Sequence, residues 1–104
     1  MMTINIANEF SPFPAGRYIS DGPFSGEKFR DGILLPALKA NAKVCIIFDG
    51  AFGYGSSFLE EAFGGLVRLG LDKEDVLKKL VFISKEDPFL ESEVVSYIEE
   101  AGGR

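Results

Sequence analysis

The feature that most constrains the fold is a run of five apolar residues, 44–48, with the sequence VCIIF, which forms most of a strand predicted over residues 42–48. Successive side chains of a strand point to opposite faces of its sheet, so a strand of this composition has both faces covered. The run is far shorter than the ~20 apolar residues that cross a bilayer. We therefore expect a central strand of an α/β sheet, covered by helices.

Weaker patterns on both sides of this strand predict the remaining elements. Alternating polar and apolar residues predict a strand over 3–7, a short apolar run predicts another over 80–83, and residues 17–20 are a further strand candidate. Helix starts are predicted at four places: Ser25, Ser56 or Ser57, Asp72, and Asp87-Pro88. This order predicts a single domain, residues 1–104, that folds as a small α/β sandwich with some parallel strand pairing. Residues 102–104 are predicted to fray.

Two of the predicted helices contain residues that disfavour regular α-helix. Pro36 lies inside the helical pattern that follows Ser25, and because proline has no backbone N–H we expect a kink or a break near Leu34–Leu35. Gly64 and Gly65 lie inside the helix that runs from Ser56 or Ser57 to about Leu69, at a cost of about 1 kcal/mol each relative to alanine. We attribute both glycines to a close approach of this helix to the sheet.

The composition excludes most familiar enzyme sites. The chain contains no His and a single Cys, Cys45, which we expect to be buried in its strand. It can therefore form no Ser-His-Asp triad, no Cys-His pair, no imidazole metal site and no internal disulfide. The carboxylate of Asp49 alone is too little for a Ca²⁺ or Mg²⁺ site, and Ser56 as a nucleophile would need a Lys or carboxylate base. We expect a non-enzymatic chain with no cofactor and no metal.

The formal net charge of −5 bears on partners and compartment. An acidic chain repels phosphate backbones, and no cluster of Lys or Arg stands out, so nucleic acid is not an expected partner. The first residues do not combine a basic start with a long apolar run, and no segment is long enough to span a membrane. The predicted location is the cytoplasm, with no membrane partner.

The segment most suggestive of binding is the glycine-rich loop that joins the central strand to the next helix, residues 49–58, with the sequence DGAFGYGSSF. Free amides and the positive end of the helix dipole meet at such a helix start, which suits an anion. The spacing from Gly50 to Gly55 resembles a P-loop, but Ser56 stands where the lysine is required. A dinucleotide fingerprint also fails, because Phe58 stands in place of the third glycine.

Two other interpretations of this loop are a tight turn followed by a helix cap, and a recognition surface for another protein. A phosphate on Ser56 or Ser57 would add about −1.5 to −2 charges at a helix end that tolerates them. It would repel a partner that holds acidic groups against the same point. The candidate binding residues are Asp49, Phe52, Tyr54, Gly55, Ser56 and Ser57.

Two long segments carry a resemblance to a known family. The sequence IIFDGAFGYGSSFLEEAFGGLVR, residues 46–68, resembles the STAS-like domains, relatives of the bacterial anti-sigma-factor antagonists. The sequence GRYISDGPFSGEKFRDGILLPAL, residues 16–38, resembles the front half of a STAS-like family of unknown function. The resemblance implies a mixed sheet of four to five strands with helices packed against it, and no enzymatic activity. In the antagonists a partner kinase phosphorylates the first serine of an Asp-Ser-Ser motif; that serine falls on Ser56, and Gly55 replaces the aspartate.

A second group of polar residues lies in the front half of the chain and comprises Arg17, Asp21, Ser25, Glu27 and Arg30. In one interpretation they form a polar patch beside the loop that precedes Ser56, where Arg17 and Asp21 would contact a partner. In the other they are helix caps and surface ion pairs, each pair worth ~0–1 kcal/mol. On the helix that follows, Glu60, Glu61 and Arg68 are predicted to face water.

These observations together predict a cytoplasmic, STAS-like regulatory domain that binds a protein partner, a kinase-like ATPase or a sensor, through the loop and helix start at Ser56. One alternative is a nucleotide- or anion-binding domain that uses the Gly50–Gly55 loop. Another is a self-associating domain that forms a homodimer through its aromatic residues.

Overall fold

Three parallel strands form one sheet in the computed structural model, which describes residues 1–101. The strands are β1 (Met2–Asn5), β2 (Val44–Ile47) and β3 (Leu80–Ile83), with β2 in the centre. Ile4 of β1 is in register with Ile46 of β2, which is in register with Phe82 of β3. The predicted central position of strand β2 is confirmed, and Cys45 is buried within it. The expected covering of both sheet faces is not found beside Cys45, because Thr3 and Val81, its neighbours in register, are exposed. The predicted fraying of residues 102–104 lies outside the described residues.

The expected mixed sheet of four to five strands is wrong, because the sheet described over residues 1–101 has three strands, all parallel. The strand candidate at 17–20 lies in a loop that contains a 3₁₀ turn, Ile19–Asp21. In that loop the Asp21 carboxylate accepts a hydrogen bond from the Tyr18 N–H, and the Glu27 carboxylate accepts one from the Ile19 N–H. Side chains thus satisfy the amides that a strand would have used in a ladder.

The strand predicted over 3–7 ends early for a similar reason. The Asn5 side chain accepts a hydrogen bond from the Asn8 N–H at 3.1 Å and caps a one-turn helix, Ile6–Glu9. The backbone after Asn5 therefore turns away from the sheet.

Two long helices fill the connections between the strands, and each contains a π-helical turn. Helix 26–40 consists of Gly26–Phe29, the π turn Arg30–Leu34 and Leu35–Ala40. Helix 56–68 consists of Ser56–Leu59, the π turn Glu60–Gly64 and Gly65–Arg68. Two further helices span Lys73–Lys79 and Leu90–Ala101.

The predicted caps are confirmed at two helix starts. The Ser25 hydroxyl accepts a hydrogen bond from the Lys28 N–H at 3.2 Å, and the Asp72 carboxylate accepts one from the Asp75 N–H at 3.1 Å. The last helix begins later than expected, at Leu90, because Asp87 and Pro88 form a separate turn closed by a hydrogen bond from the Phe89 N–H to the Asp87 carboxylate.

Helix 26–40 does not break at Pro36. Its departure from α geometry is the wider π turn directly before the proline, in which the Leu35 N–H bonds to the Arg30 carbonyl five residues earlier. Single π turns of this kind occur within otherwise α-helical segments, so the helix continues past the proline.

The core lies between the sheet and helices 26–40, 56–68 and Leu90–Ala101. Helix 56–68 is the middle one and contacts both of the others. Its fully buried residues Phe58 and Phe63 pack on Phe29 of helix 26–40, and Phe63 also packs on Phe48 and Phe82 from the sheet side. This interlocking of aromatic rings fixes the position of the helix start at Ser56.

Gly64 and Gly65 do mark a close approach, but the neighbour is not the sheet. A Cβ atom at Gly64 would lie 3.1 Å from the Tyr97 carbonyl oxygen of the last helix, and one at Gly65 would lie 2.5 Å from Nη1 of Arg30. The glycines make room for a helix backbone and for a buried guanidinium.

Within residues 1–101, no helix is both long and apolar enough to cross a membrane.

Candidate functional site

The glycine-rich loop lies at the carboxyl edge of the parallel sheet, beside the segment that follows β3. The Asp49 carboxylate accepts hydrogen bonds from the Lys85 N–H at 3.1 Å and the Glu86 N–H at 2.9 Å. In return the Glu86 carboxylate accepts one from the Gly50 N–H at 2.8 Å. Gly50 has a φ of +97°, which a residue with a side chain rarely adopts. The two segments hold one another, so Asp49 shapes the loop as well as lining the site.

Phe52 is strongly exposed among the predicted binding residues. Its side chain is 81% exposed and stacks on that of Phe13, which is 61% exposed, with ring centroids 4.8 Å apart and planes within 6°. A backbone hydrogen bond of 2.8 Å from the Phe52 N–H to the Pro12 carbonyl joins the two loops. We call the rings of Phe13 and Phe52 the aromatic stack. Phe13 was not predicted as a site residue.

Tyr54 is a structural residue more than a contact residue. Its ring is half-buried and packs edge-on against Phe48 at 5.3 Å, and its hydroxyl donates a hydrogen bond of 2.7 Å to the Phe48 carbonyl. Burial raises the pKa of the Tyr54 hydroxyl well above its ordinary value, and the negative charges of Asp49 and Glu86 raise it further. The phenol is therefore a neutral anchor for the loop.

Ser56 and Ser57 are exposed at the first turn of helix 56–68, as the sequence predicts. Gly55 is the N-cap residue, and no side chain caps this helix start. Phe58 and Leu59, the next two residues, are fully buried. The helix is thus fixed by its apolar face, while both hydroxyls remain on the surface.

The polar residues of the front half are caps and ion pairs, and the interpretation as a free polar patch is not supported. Five side chains form what we call the ion-pair cluster: Arg17, Arg30, Glu60, Glu61 and Arg68. Arg17 Nη1 lies 2.5 Å from Glu60 Oε1, Arg68 Nη1 lies 2.6 Å from Glu60 Oε2, and Arg30 pairs with Glu61. Asp21 is occupied by the Tyr18 N–H.

Burial in the ion-pair cluster differs from the prediction for this helix. Arg30 and Glu61 are 6% and 7% exposed, so Glu61 does not face water.

The ion pairs shift the pKa values of the side chains in the cluster. Hydrogen bonds from Arg68 lower the pKa of Glu60, burial opposes this shift, and the hydrogen bond from Arg17 lowers the pKa again. The same hydrogen bond to Glu60 raises the pKa of Arg17. The arginines and glutamates of the ion-pair cluster are therefore paired with one another.

A small cavity of about 160 Å³ opens beside the loop. Phe48, Phe52 and Tyr54 contribute its aromatic wall. We call it the acidic cavity, because the charged side chains that line it are all carboxylates: Asp49, Glu86, Asp87 and Glu93. Glu93 also accepts a hydrogen bond of 2.7 Å from the Tyr97 hydroxyl, which raises the pKa of Tyr97 to about 12.

Nothing in residues 1–101 groups three or more Cys, Asp or Glu side chains in an arrangement that could hold a metal ion. The carboxylates of the acidic cavity are instead directed at backbone amides and at a phenol.

A comparison with family models identifies the class of domain. The chain belongs to the family described as a STAS-like domain of unknown function, whose model matches residues 25–89, more than half of the sequence. The match includes helix 26–40, β2, the glycine-rich loop, helix 56–68 and β3. No match is found among curated proteins or among solved structures.

Proposed function

We propose that this chain is a non-enzymatic regulatory domain that docks a protein partner, a kinase-like ATPase or a sensor, through loop 50–58 and the first turn of helix 56–68. The observation that carries the proposal is the exposed aromatic stack beside two exposed serines at the start of a helix whose other face is locked in the core. Exposed aromatic side chains on a rigid support are typical anchors of protein interfaces.

In this proposal Ser56 is the residue through which binding is switched. A phosphate there would add about −1.5 to −2 charges next to free helix amides, which favour negative charge. The Ser56 side chain is exposed and does not cap the helix, so its modification removes no cap. The modification would change the charge offered to a partner and leave the fold intact.

The nucleotide or anion alternative finds less support at this loop. The acidic cavity beside Gly50–Gly55 is lined by carboxylates, and no Lys or Arg side chain lines it. Phosphate groups would be repelled there. Calorimetric titration with ATP, GTP and NAD separates the two functions, because heat of binding with any of the three would favour the alternative.

The docking proposal is tested by quantitative pull-down from an extract of the source cells. The baits are the wild type, Phe52→Ala, Ser56→Asp and Leu69→Ala. Leu69 is a matched control, because it is 53% exposed and lies at the opposite end of helix 56–68. We expect at least one protein retained by the wild type and by Leu69→Ala, lost with Phe52→Ala and altered in amount with Ser56→Asp.

Identical partner profiles for all four baits would contradict the proposal. Tyr54→Ala is not a suitable bait, because the ring and hydroxyl of Tyr54 hold the loop. Sedimentation at several concentrations tests self-association: a dimer that Phe52→Ala dissolves would favour the homodimer over a different partner.

A further inference from the structure

The aromatic stack and the acidic cavity form one continuous surface, because Phe52 belongs to both. One face of its ring is stacked on Phe13, and the side chain also lines the cavity with Asp49 and Glu86. A partner that covers the aromatic stack therefore also meets the carboxylates. Its chemistry must suit an apolar, planar surface and a negative charge at the same time.

The carboxylates of the acidic cavity have no cationic partner in the part of the chain that is described. The ion pairs found there all join Arg17, Arg30 or Arg68 to Glu60, Glu61 or Asp31. The cavity thus keeps its negative charge beside an exposed ring. This charge is complementary to a basic ligand and opposes an acidic one.

The size of the cavity points to a side chain and not to a small-molecule cofactor. Its volume of about 160 Å³ is well below the roughly 300–1,000 Å³ of drug-sized ligand sites. An Arg or Lys side chain has a long apolar stem and a charged end, and a guanidinium also packs flat against an exposed aromatic ring.

We infer that the partner inserts an Arg or Lys side chain into the acidic cavity and covers the aromatic stack with an adjacent apolar residue. The cation contacts the carboxylates of Glu86 and Asp87 at the rim, and the apolar neighbour lies on Phe52 and Phe13. This inference rests on the proposed docking function and specifies the chemistry of the partner segment.

The test uses a random peptide library displayed on phage and selected against the full wild-type chain. Selected peptides are then synthesised and titrated against purified variants. Phe52→Ala removes the exposed ring. Glu86→Gln/Asp87→Asn removes two charges but keeps the side-chain oxygens that accept hydrogen bonds from the Gly50 and Phe89 amides.

Matched controls are available on distant surfaces. Leu69→Ala removes an exposed apolar side chain, and Glu74→Gln/Glu99→Gln removes two exposed charges. We expect selected peptides to place Arg or Lys next to an aromatic or aliphatic residue. Their affinity should fall about tenfold or more with Phe52→Ala and with Glu86→Gln/Asp87→Asn, fall with added salt, and stay unchanged in both controls.

The remaining outcomes separate this inference from the docking function. Peptides without a basic residue, or peptides that bind Glu86→Gln/Asp87→Asn as tightly as the wild type, would overturn the inference. If Phe52→Ala still weakened those peptides, the docking surface itself would stand. A library that yields no binder, or binders indifferent to Phe52→Ala, would overturn both.

Discussion

The two charged regions of this molecule use their side chains in opposite ways. In the ion-pair cluster every carboxylate has an arginine partner, and Arg30 and Glu61 are buried. In the acidic cavity the carboxylates accept hydrogen bonds from backbone amides and a phenol, two of them, Glu86 and Asp87, are exposed, and none has an arginine or lysine partner among the described residues.

The arginines and glutamates of the ion-pair cluster neutralise one another, whereas the carboxylates of the acidic cavity keep a negative charge that the proposed docking would use. Both regions flank helix 56–68: the ion-pair cluster holds its middle, and the acidic cavity lies near its start. A rigid helix that begins at an exposed serine presents its first turn at a fixed place. The cluster therefore supports the site without forming part of it.

The largest loss of stability is expected when a buried side chain of the ion-pair cluster is removed. No loss in the free energy of unfolding would contradict the contrast between the two regions. Arg30→Met leaves the buried Glu61 carboxylate with only its longer contacts to Arg17 and Arg68, at 3.3 and 3.2 Å. We expect the free energy of unfolding to fall by about 3 kcal/mol, measured by urea denaturation. Arg30→Met/Glu61→Leu removes both charges and should recover part of the loss; equal losses in the single and double variants would contradict a role for the pair.

Gly65 leaves space for the guanidinium of Arg30, and filling that space should cause a second, smaller loss of stability. Gly65→Ala would place a methyl group 2.5 Å from Arg30 Nη1, so the guanidinium must move away from Glu61. We expect a loss of about 1–3 kcal/mol in the free energy of unfolding. The matched control is Gly32→Ala, also inside a helix but with nothing within 4 Å of the added atom; it should stabilise by about 0.4–1 kcal/mol. Equal losses of unfolding free energy in Gly65→Ala and Gly32→Ala would contradict a specific need for space beside Arg30.

Glu60 of the ion-pair cluster should also contribute to the acid sensitivity of the fold. Arg68 and Arg17 hold the pKa of Glu60 below its ordinary value of 4.5 in the folded state. Glu60 therefore stabilises the fold above pH 4.5, and this contribution is lost as the pH falls through the lowered folded-state pKa.

Urea unfolding at about pH 7, 4 and 3 measures this contribution. The difference in unfolding free energy between the wild type and Glu60→Gln should shrink on acidification. A constant difference for Glu60→Gln would mean that its charge does not stabilise the fold.

The smallest effects are expected at the docking surface. Ser56→Asp places a negative charge at the start of helix 56–68 and should raise the free energy of unfolding by about 0.3–1 kcal/mol, while Ser56→Lys should lower it by a similar amount. Urea denaturation at low ionic strength measures both. A large loss with Ser56→Asp would contradict a switch that leaves the fold intact.

Local signals in the sequence were sufficient for much of this structure. The apolar run of β2, the caps Ser25 and Asp72, and the exposed helix start at Ser56 depend on neighbours within a few residues, and each is found where predicted. The strand candidate at 17–20 failed because Glu27, eight residues away from Ile19, takes its amide.

The parts of the candidate site that could not be predicted depend on contacts between distant segments. Phe13 joins Phe52 because the loop after the first helix reaches the glycine-rich loop through the Pro12 carbonyl. Glu61 is buried because Arg30 lies opposite it on another helix. Glu86 could have been anticipated, since parallel strands such as β2 and β3 end at the same edge of a sheet.

The parallel register of the sheet also determines the order in which the chain can assemble during synthesis. Among the strands of residues 1–101, β1 pairs with β2 alone, and Met2 is aligned with Val44. On the ribosome the first strand must wait, unpaired and with the apolar side chain of Ile4 uncovered, until residues 44–47 have left the exit tunnel. Ile4 therefore has no strand partner during the whole time in which helix 26–40 is emerging.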